Sequence, residues 1–130
     1  MQFYIVNLER SRHRWKAMEK NLVALQLPFT RVEAVDGRAL TPQQCATYQR
    51  GCYRLLGDNE IACFLSHRKC WEIIAHGPDP YGCVFEDDIE LSKYWPKFLQ
   101  TRLWEKFSLL SIEKYYPKIW ALPKLSLIHI

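Results

Sequence analysis

Three consecutive carboxylates, Glu86, Asp87 and Asp88, follow directly on the short apolar run Cys83-Val84-Phe85, and Ile89 returns at once to apolar character. Like charges packed this closely repel. At about 5 Å and an effective dielectric of about 20, each pair costs roughly 3 kcal/mol. Such a cluster at the end of a buried strand suggests a cation. In an extended segment Glu86 and Asp88 point to one side and Asp87 to the other. Glu86-x-Asp88 is then a hard, all-oxygen pincer suited to Mg²⁺ or Mn²⁺. A divalent ion held at the C-terminal end of a strand is a common grip for a nucleotide diphosphate. The plain alternative is a set of solvated acids capping the next helix.

Other side chains with chemistry lie earlier. Arg10, Arg12, Arg14 and Lys16 cluster near the N-terminus. They could meet phosphate, or simply form a solvated helix face. Cys63, His67 and Cys70 fall at i, i+4 and i+7 of one expected helix, a spacing that could supply three zinc ligands but offers no evident fourth. Small buried cysteines explain the same pattern without a metal. His67 also shares a helix face with Glu60, Phe64 and Trp71. That makes it a candidate general base, against the commoner role of a packed, hydrogen-bonded histidine.

These residues need elements to position them. Phe3 to Leu8 reads as a buried strand ending around Asn7. Ser11 can cap a helix from Arg12 to about Leu25, with Trp15, Met18, Leu22 and Leu25 on one stripe. Leu27-Pro28 stops it. A second strand runs from Phe29 to Val35 and closes at the Asp36-Gly37 turn. Thr41-Pro42-Gln43-Gln44 starts another helix, with Thr at the N-cap, Pro at N1 and Gln at N3. After a loop from Gly51, Asn59 is expected to cap a long helix from Glu60 to about His76, ended by Gly77-Pro78. Tyr81 to Glu86 is the third strand. A helix over Tyr94 to Lys106, a strand over Phe107 to Ile112 and a weaker strand over Lys118 to Leu122 complete the expectation. Strands alternating with helices predict an α/β layered domain with a mainly parallel sheet. Ligands in that architecture sit at the C-terminal strand edges, where Asn7, Arg10 and the acidic cluster all fall.

The chain has 130 residues, enough for one domain with a real core. Its formal charge of +4, mixed with 14 acids, is no nucleic-acid signature. The five cysteines include no C-x-x-C pair. The N-terminus lacks a charged region followed by a long apolar one, and nothing is long enough to span a membrane. The expectation is a cytoplasmic protein with free thiols. Peripheral association with the inner face of a membrane stays open. The apolar ending, Ala121 to Ile130, reads either as a docked strand or as a chain that stops early.

Several segments together resemble one family. Ile5-Val6-Asn7-Leu8-Glu9-Arg10-Ser11-x-x-Arg14 is similar to the opening V-I-N-L-D-R-S-x-x-R of glycosyltransferase family 25. Val32-Glu33-Ala34-Val35-Asp36-Gly37 resembles its A-v-D-G segment. Glu60-Ile61-Ala62-Cys63-Phe64-Leu65-Ser66-His67-x-x-Cys70-Trp71 resembles its G-E-I-G-C-x-x-S-H-x-x-x-W helix, and Val84 to Ile89 its x-L-E-D-D box. Asn59 and Ala62 stand where the family usually has Gly. The four motifs cover roughly the first hundred residues, in order.

The resemblance implies a Rossmann-like, GT-A type sheet that binds a sugar nucleotide. It implies galactosyl transfer from UDP-galactose to a lipooligosaccharide or other glycan hydroxyl, with Mn²⁺ or Mg²⁺ held by Glu86 and Asp88. Asp87 would contact the donor sugar or ribose. Asn7, Arg10 and Arg14 would cradle the uridine and diphosphate. Ser66 and His67 would shape the site, and Glu60 would line it or merely offset the helix dipole. Family members continue into a C-terminal half that supplies much of the acceptor site. The chain therefore reads as the donor-binding, N-terminal part of a family domain over residues 1–130, truncated at the C-terminus. Two other functions compete: a chain that binds nucleotide without turnover, and a Mg²⁺-dependent phosphohydrolase. The phosphohydrolase class usually wants Asp-x-Asp with a nearby Thr, which Glu86-Asp87-Asp88-Ile89-Glu90 does not supply.

Overall fold

The computed structural model describes residues 1–110. The chain divides into two compact units, Met1–Leu91 and Ser92–Ile130. The first unit carries a three-stranded parallel sheet of order β2-β1-β3, built from β1 (Gln2–Asn7), β2 (Phe29–Glu33) and β3 (Gly82–Glu86). Helices α1 (Arg12–Ala24), α2 (Pro42–Gln49) and α3 (Asp58–His76) occupy the connections. The α/β reading of the sequence therefore holds.

Central strand β1 is buried from Phe3 to Asn7, the continuous apolar run expected of a parallel strand covered on both faces. Side chains alternate across it. Tyr4 and Val6 point to one face and cluster with Val32 and with Cys70 of α3, and Ile74 and Val84 pack against them. Phe3 and Ile5 point to the other face, where α1 packs on β1 and buries Met18 and Leu22. Burying one such side chain contributes about 1.5–3 kcal/mol, so this two-sided core fixes the sheet between its helices.

Local signals set the helix starts. Thr41 Oγ1 accepts from the Gln44 amide at 3.2 Å while Gln44 Oε1 accepts from the Thr41 amide at 2.8 Å, closing the expected capping box. Helix α3 begins earlier than expected. Gly57, not Asn59, holds the cap position, because the Glu60 carboxylate accepts the Gly57 amide at 2.8 Å. Gly37 is required by close approach: a Cβ there would lie 2.7 Å from Asn59 Oδ1 and 3.0 Å from the Asp58 backbone.

The second unit departs from expectation. Its helix α4 (Trp95–Thr101) stops at Arg102, whose φ of 53° is left-handed, and a 3-10 turn follows over Leu103–Lys106. Phe107 to Leu110 is not strand, having no ladder partner among the described residues. Ser111 and Ile112, and the strand expected over Lys118 to Leu122, lie outside the described residues.

Candidate functional site

The sheet register decides which side each acid takes. In the β1–β3 ladder Val6 pairs with Glu86 and Ile5 with Phe85. Glu86 therefore shares the face of Val6, under α3. One residue on, Asp87 lies beside Asn7, on the face of α1. The hydrogen bonds agree. Glu86 Oε1 meets His67 Nε2 at 3.3 Å and Cys63 Sγ at 3.4 Å, both from α3. Asp87 Oδ2 accepts from Asn7 Nδ2, and Asp87 Oδ1 lies 3.3 Å from Arg14 of α1.

Asp88 does not follow the alternation. The strand ends at Glu86, and Asp87 and Asp88 form a turn. Asp88 Oδ2 lies 3.0 Å from Arg14 Nη1, the same nitrogen that faces Asp87. The two prongs of the expected pincer thus have different partners. Glu86 is held by α3, while Asp87 and Asp88 share one arginine on the α1 side. Arg14 is the resident cation that offsets the repulsion between the two aspartates. Asp87 is the buried member, its side chain 6% exposed, whereas those of Glu86 and Asp88 are 43% and 56% exposed.

Asn7 is the hub on the α1 face. It is 1% exposed and fully engaged. Its Nδ2 donates to Asp87 and to the Ser11 carbonyl at 3.2 Å, and its Oδ1 accepts from Arg31 Nε and Nη2 at 2.9 and 2.7 Å. Arg31 continues to Glu9 at 2.8 Å and lies over the Trp15 ring. Sequence reasoning missed Arg31. Arg31 pairs with Ile5 across the ladder and so sits diagonally from Asn7 on the same face. Register, however, is invisible before the strands pair.

Electrostatics follow contact. The Glu86 carboxyl is held below its ordinary range, first by the His67 hydrogen bond, with burial opposing and Cys63 adding to it. Burial, and then the Glu86 charge, push the Cys63 thiol up to about 12. Cys63 stays a protonated donor toward Glu86 while no metal displaces the proton.

Three expected site residues lie elsewhere. Arg10 pairs with Asp36, the aspartate of the V-D-G segment, whose other oxygen caps a 3-10 turn through the Arg38 amide at 3.0 Å. The pair borders a depression of about 400 Å³ lined also by Leu8, Glu33 and Ala34, but not by Glu86, Asp87 or Asp88. Glu60 bonds Arg54 and the Gly57 amide, both in the loop before α3, and so supports the helix start. Ser66 is 1% exposed, and its Oγ accepts the Val35 amide at 2.8 Å and donates to the Ala62 carbonyl at 2.7 Å. It braces α3 against the chain leaving β2. Cys70 is also displaced from its expected set. It is wholly buried in the core, and Glu86 stands third beside Cys63 and His67.

The sequence is similar to several known proteins. Procollagen galactosyltransferase 1-A of Xenopus laevis is 31% identical over 111 residues, 78% of this chain and 18% of the relative. Lacto-N-neotetraose biosynthesis glycosyltransferase LgtE of Neisseria meningitidis is 27% identical over 132 residues, covering 95% of this chain and 47% of that protein. Lipooligosaccharide biosynthesis protein lic2B of Haemophilus influenzae is 26% identical, across 86% of this chain and 42% of its own length. The chain thus spans less than half the length of each of these relatives. A family description, "Glycosyltransferase family 25 (LPS biosynthesis protein)", matches residues 1–128. With a match that runs nearly end to end and includes all four motif segments, the chain belongs to glycosyltransferase family 25.

Proposed function

We propose that this chain is the donor-binding part of a hexosyltransferase. The sugar is galactose from UDP-galactose, and the acceptor is a hydroxyl of a lipooligosaccharide or related glycan. The sheet is taken as the nucleotide-binding sheet of a GT-A type fold. The observation that carries the reading is the meeting of Asn7, Arg14, Glu86, Asp87 and Asp88 where the adjacent parallel strands β1 and β3 both end. Ligands of open α/β sheets bind outside such strand ends.

Glu86 and Asp88 suit a hard divalent ion. Both are substantially exposed, and each keeps one carboxylate oxygen out of every hydrogen bond among the described residues. These two residues would hold Mn²⁺ or Mg²⁺, which when bound would offset the charge developing on the departing nucleoside diphosphate. Asn7 keeps Asp87 fixed, so that carboxylate presents a constant acceptor for a sugar or ribose hydroxyl. Arg14 is 37% exposed and can turn from the aspartates toward phosphate oxygens. Arg10 can do so only by leaving Asp36. His67 is assigned to steering Glu86 rather than to taking the acceptor proton, since its Nε2 already faces that carboxylate. No helix among the described residues is long and apolar enough to cross a membrane.

The test is UDP and UDP-galactose binding by calorimetry, with and without Mn²⁺, on the chain and on Asp88→Ala. Metal-dependent binding that Asp88→Ala weakens by about tenfold or more, the scale of one lost charged contact, supports the reading. A folded chain that binds neither nucleotide with Mn²⁺ present would refute it.

A further inference from the structure

We propose that Cys63, His67 and Glu86 form a second metal site, for a borderline-soft divalent ion of the zinc type. Their ligand atoms, Sγ, Nε2 and a carboxylate oxygen, all lie within 4.8 Å of one another. Two edges of this triangle are already short: Glu86 Oε1 stands 3.3 Å from Nε2 and 3.4 Å from Sγ. Atoms bound at about 2.0–2.3 Å to one tetrahedral ion stand about 3.3–3.6 Å apart, so these two edges already have the spacing of a bound ion.

The scaffold is fixed independently of any ion. Cys63 and His67 are four residues apart on α3, so they stack on one helix face. Trp71 packs edge-on to the His67 ring at 6.2 Å and limits its rotation. Ser66, between the two ligands in sequence, ties α3 to the chain after β2. Glu86 ends a strand whose register on β1 is set by the sheet.

The donor set names the metal. One sulfur, one imidazole nitrogen and one carboxylate oxygen form a mixed set in which thiolate favours zinc-like ions over Mg²⁺ or Mn²⁺. Three protein ligands leave a fourth position for water or an exogenous donor. On binding, the Cys63 S–H bond is replaced by a sulfur–metal bond, and one proton leaves to solvent for each ion. No electron is transferred.

The site shares Glu86 with the proposed nucleotide-metal grip. Its existence does not rest on the donor reading; only the following consequence does. A zinc-type ion in this site withdraws Glu86 from the acidic cluster and lowers Mn²⁺-dependent UDP binding.

Co²⁺ is the probe, because a thiolate ligand gives it a charge-transfer band in the near ultraviolet. The full chain is titrated with Co²⁺ without nucleotide, followed by displacement with Zn²⁺. The expected result is a saturable, one-to-one band. Cys63→Ser abolishes it, and His67→Gln and Glu86→Gln each weaken binding by at least about 10–100-fold, the cost of losing even an outer partner of a metal ligand. Cys52→Ser and Asp88→Ala leave the band unchanged, and circular dichroism checks that every variant is folded. Absence of the band in the parent chain, its persistence in Cys63→Ser, or unchanged affinity in Glu86→Gln overturns the site. Asp88→Ala separates the two ideas: loss of UDP binding with the cobalt band intact supports both. A cobalt band in a chain that binds no nucleotide leaves this site standing and removes the donor reading.

Discussion

At the scale of single residues, Asn7 does more than its place in a strand suggests. Four hydrogen bonds converge on one side-chain amide, and two of them come from Arg31. Replacing it with Ala leaves Asp87 and the Arg31 guanidinium short of a partner. A buried polar group left unsatisfied costs about 1–3 kcal/mol. Asn7→Ala is therefore expected to lose stability on that order in urea titration, and to weaken Mn²⁺-dependent UDP binding. Asn7→Asp is the sharper comparison. It keeps the acceptor for Arg31 but removes the donor to Asp87 and puts a second negative charge against it, so it should impair nucleotide binding, and cost stability, at least as much as Ala. Equal nucleotide binding by wild type and both variants would separate Asn7 from the site.

Among the elements, α3 carries the most consequence. Its N-terminal end is pinned by Gly37, its middle by Ser66, and its inner face presents Cys63 and His67 to Glu86. Ser66→Ala removes the acceptor of the Val35 amide. It should destabilise the chain by about 1–3 kcal/mol with the helix itself intact, read by denaturant unfolding and amide exchange at Val35. Gly37→Ala pushes a methyl group against the Asp58 backbone, where overpacking costs about 1–3 kcal/mol. If both variants proved neutral, α3 would be held by its apolar face alone.

For the whole molecule, acid stability offers a check with a definite sign. The Glu60 carboxyl is held down at about 2 from an ordinary 4.5, first by its hydrogen bonds to Arg54 and then by the Gly57 amide. A carboxyl depressed in the folded state stabilises fully above its unfolded pKa, and the contribution is lost as pH falls from about 4.5 toward 2. Glu60→Gln keeps a cap acceptor but removes the titration. The variant should unfold in acid with a shallower pH dependence across that window, and the difference from wild type should shrink in high salt because the pair is exposed. Identical acid profiles would show that the Arg54–Glu60 pair does not couple to folding.

The amino-acid sequence by itself determined the alternation of strands and helices, the parallel sheet, the capping box at Thr41 and the family. These follow from local periodicity, capping chemistry and residue spacing, all of which act within a few residues. The candidate site was legible as a set of residues but not as an arrangement. Glu86, Asp87, Asp88, Asn7, Arg14 and His67 could each be named from residue type and motif. Which of them meet could not, because that depends on how strands eighty residues apart align. The ladder put Glu86 on the α3 face and Asp87 on the α1 face, and the turn gave Asp88 to Arg14. Packing also set Glu86 rather than Cys70 beside Cys63 and His67 and brought Arg31 to Asn7, while Arg10 pairs with Asp36, Glu60 with Arg54 and Ser66 with the Val35 amide. A one-residue shift in the register of β3 would exchange the faces of Glu86 and Asp87. Register is fixed by burial on both sides of β1, which exists only once the sheet and its helices have packed.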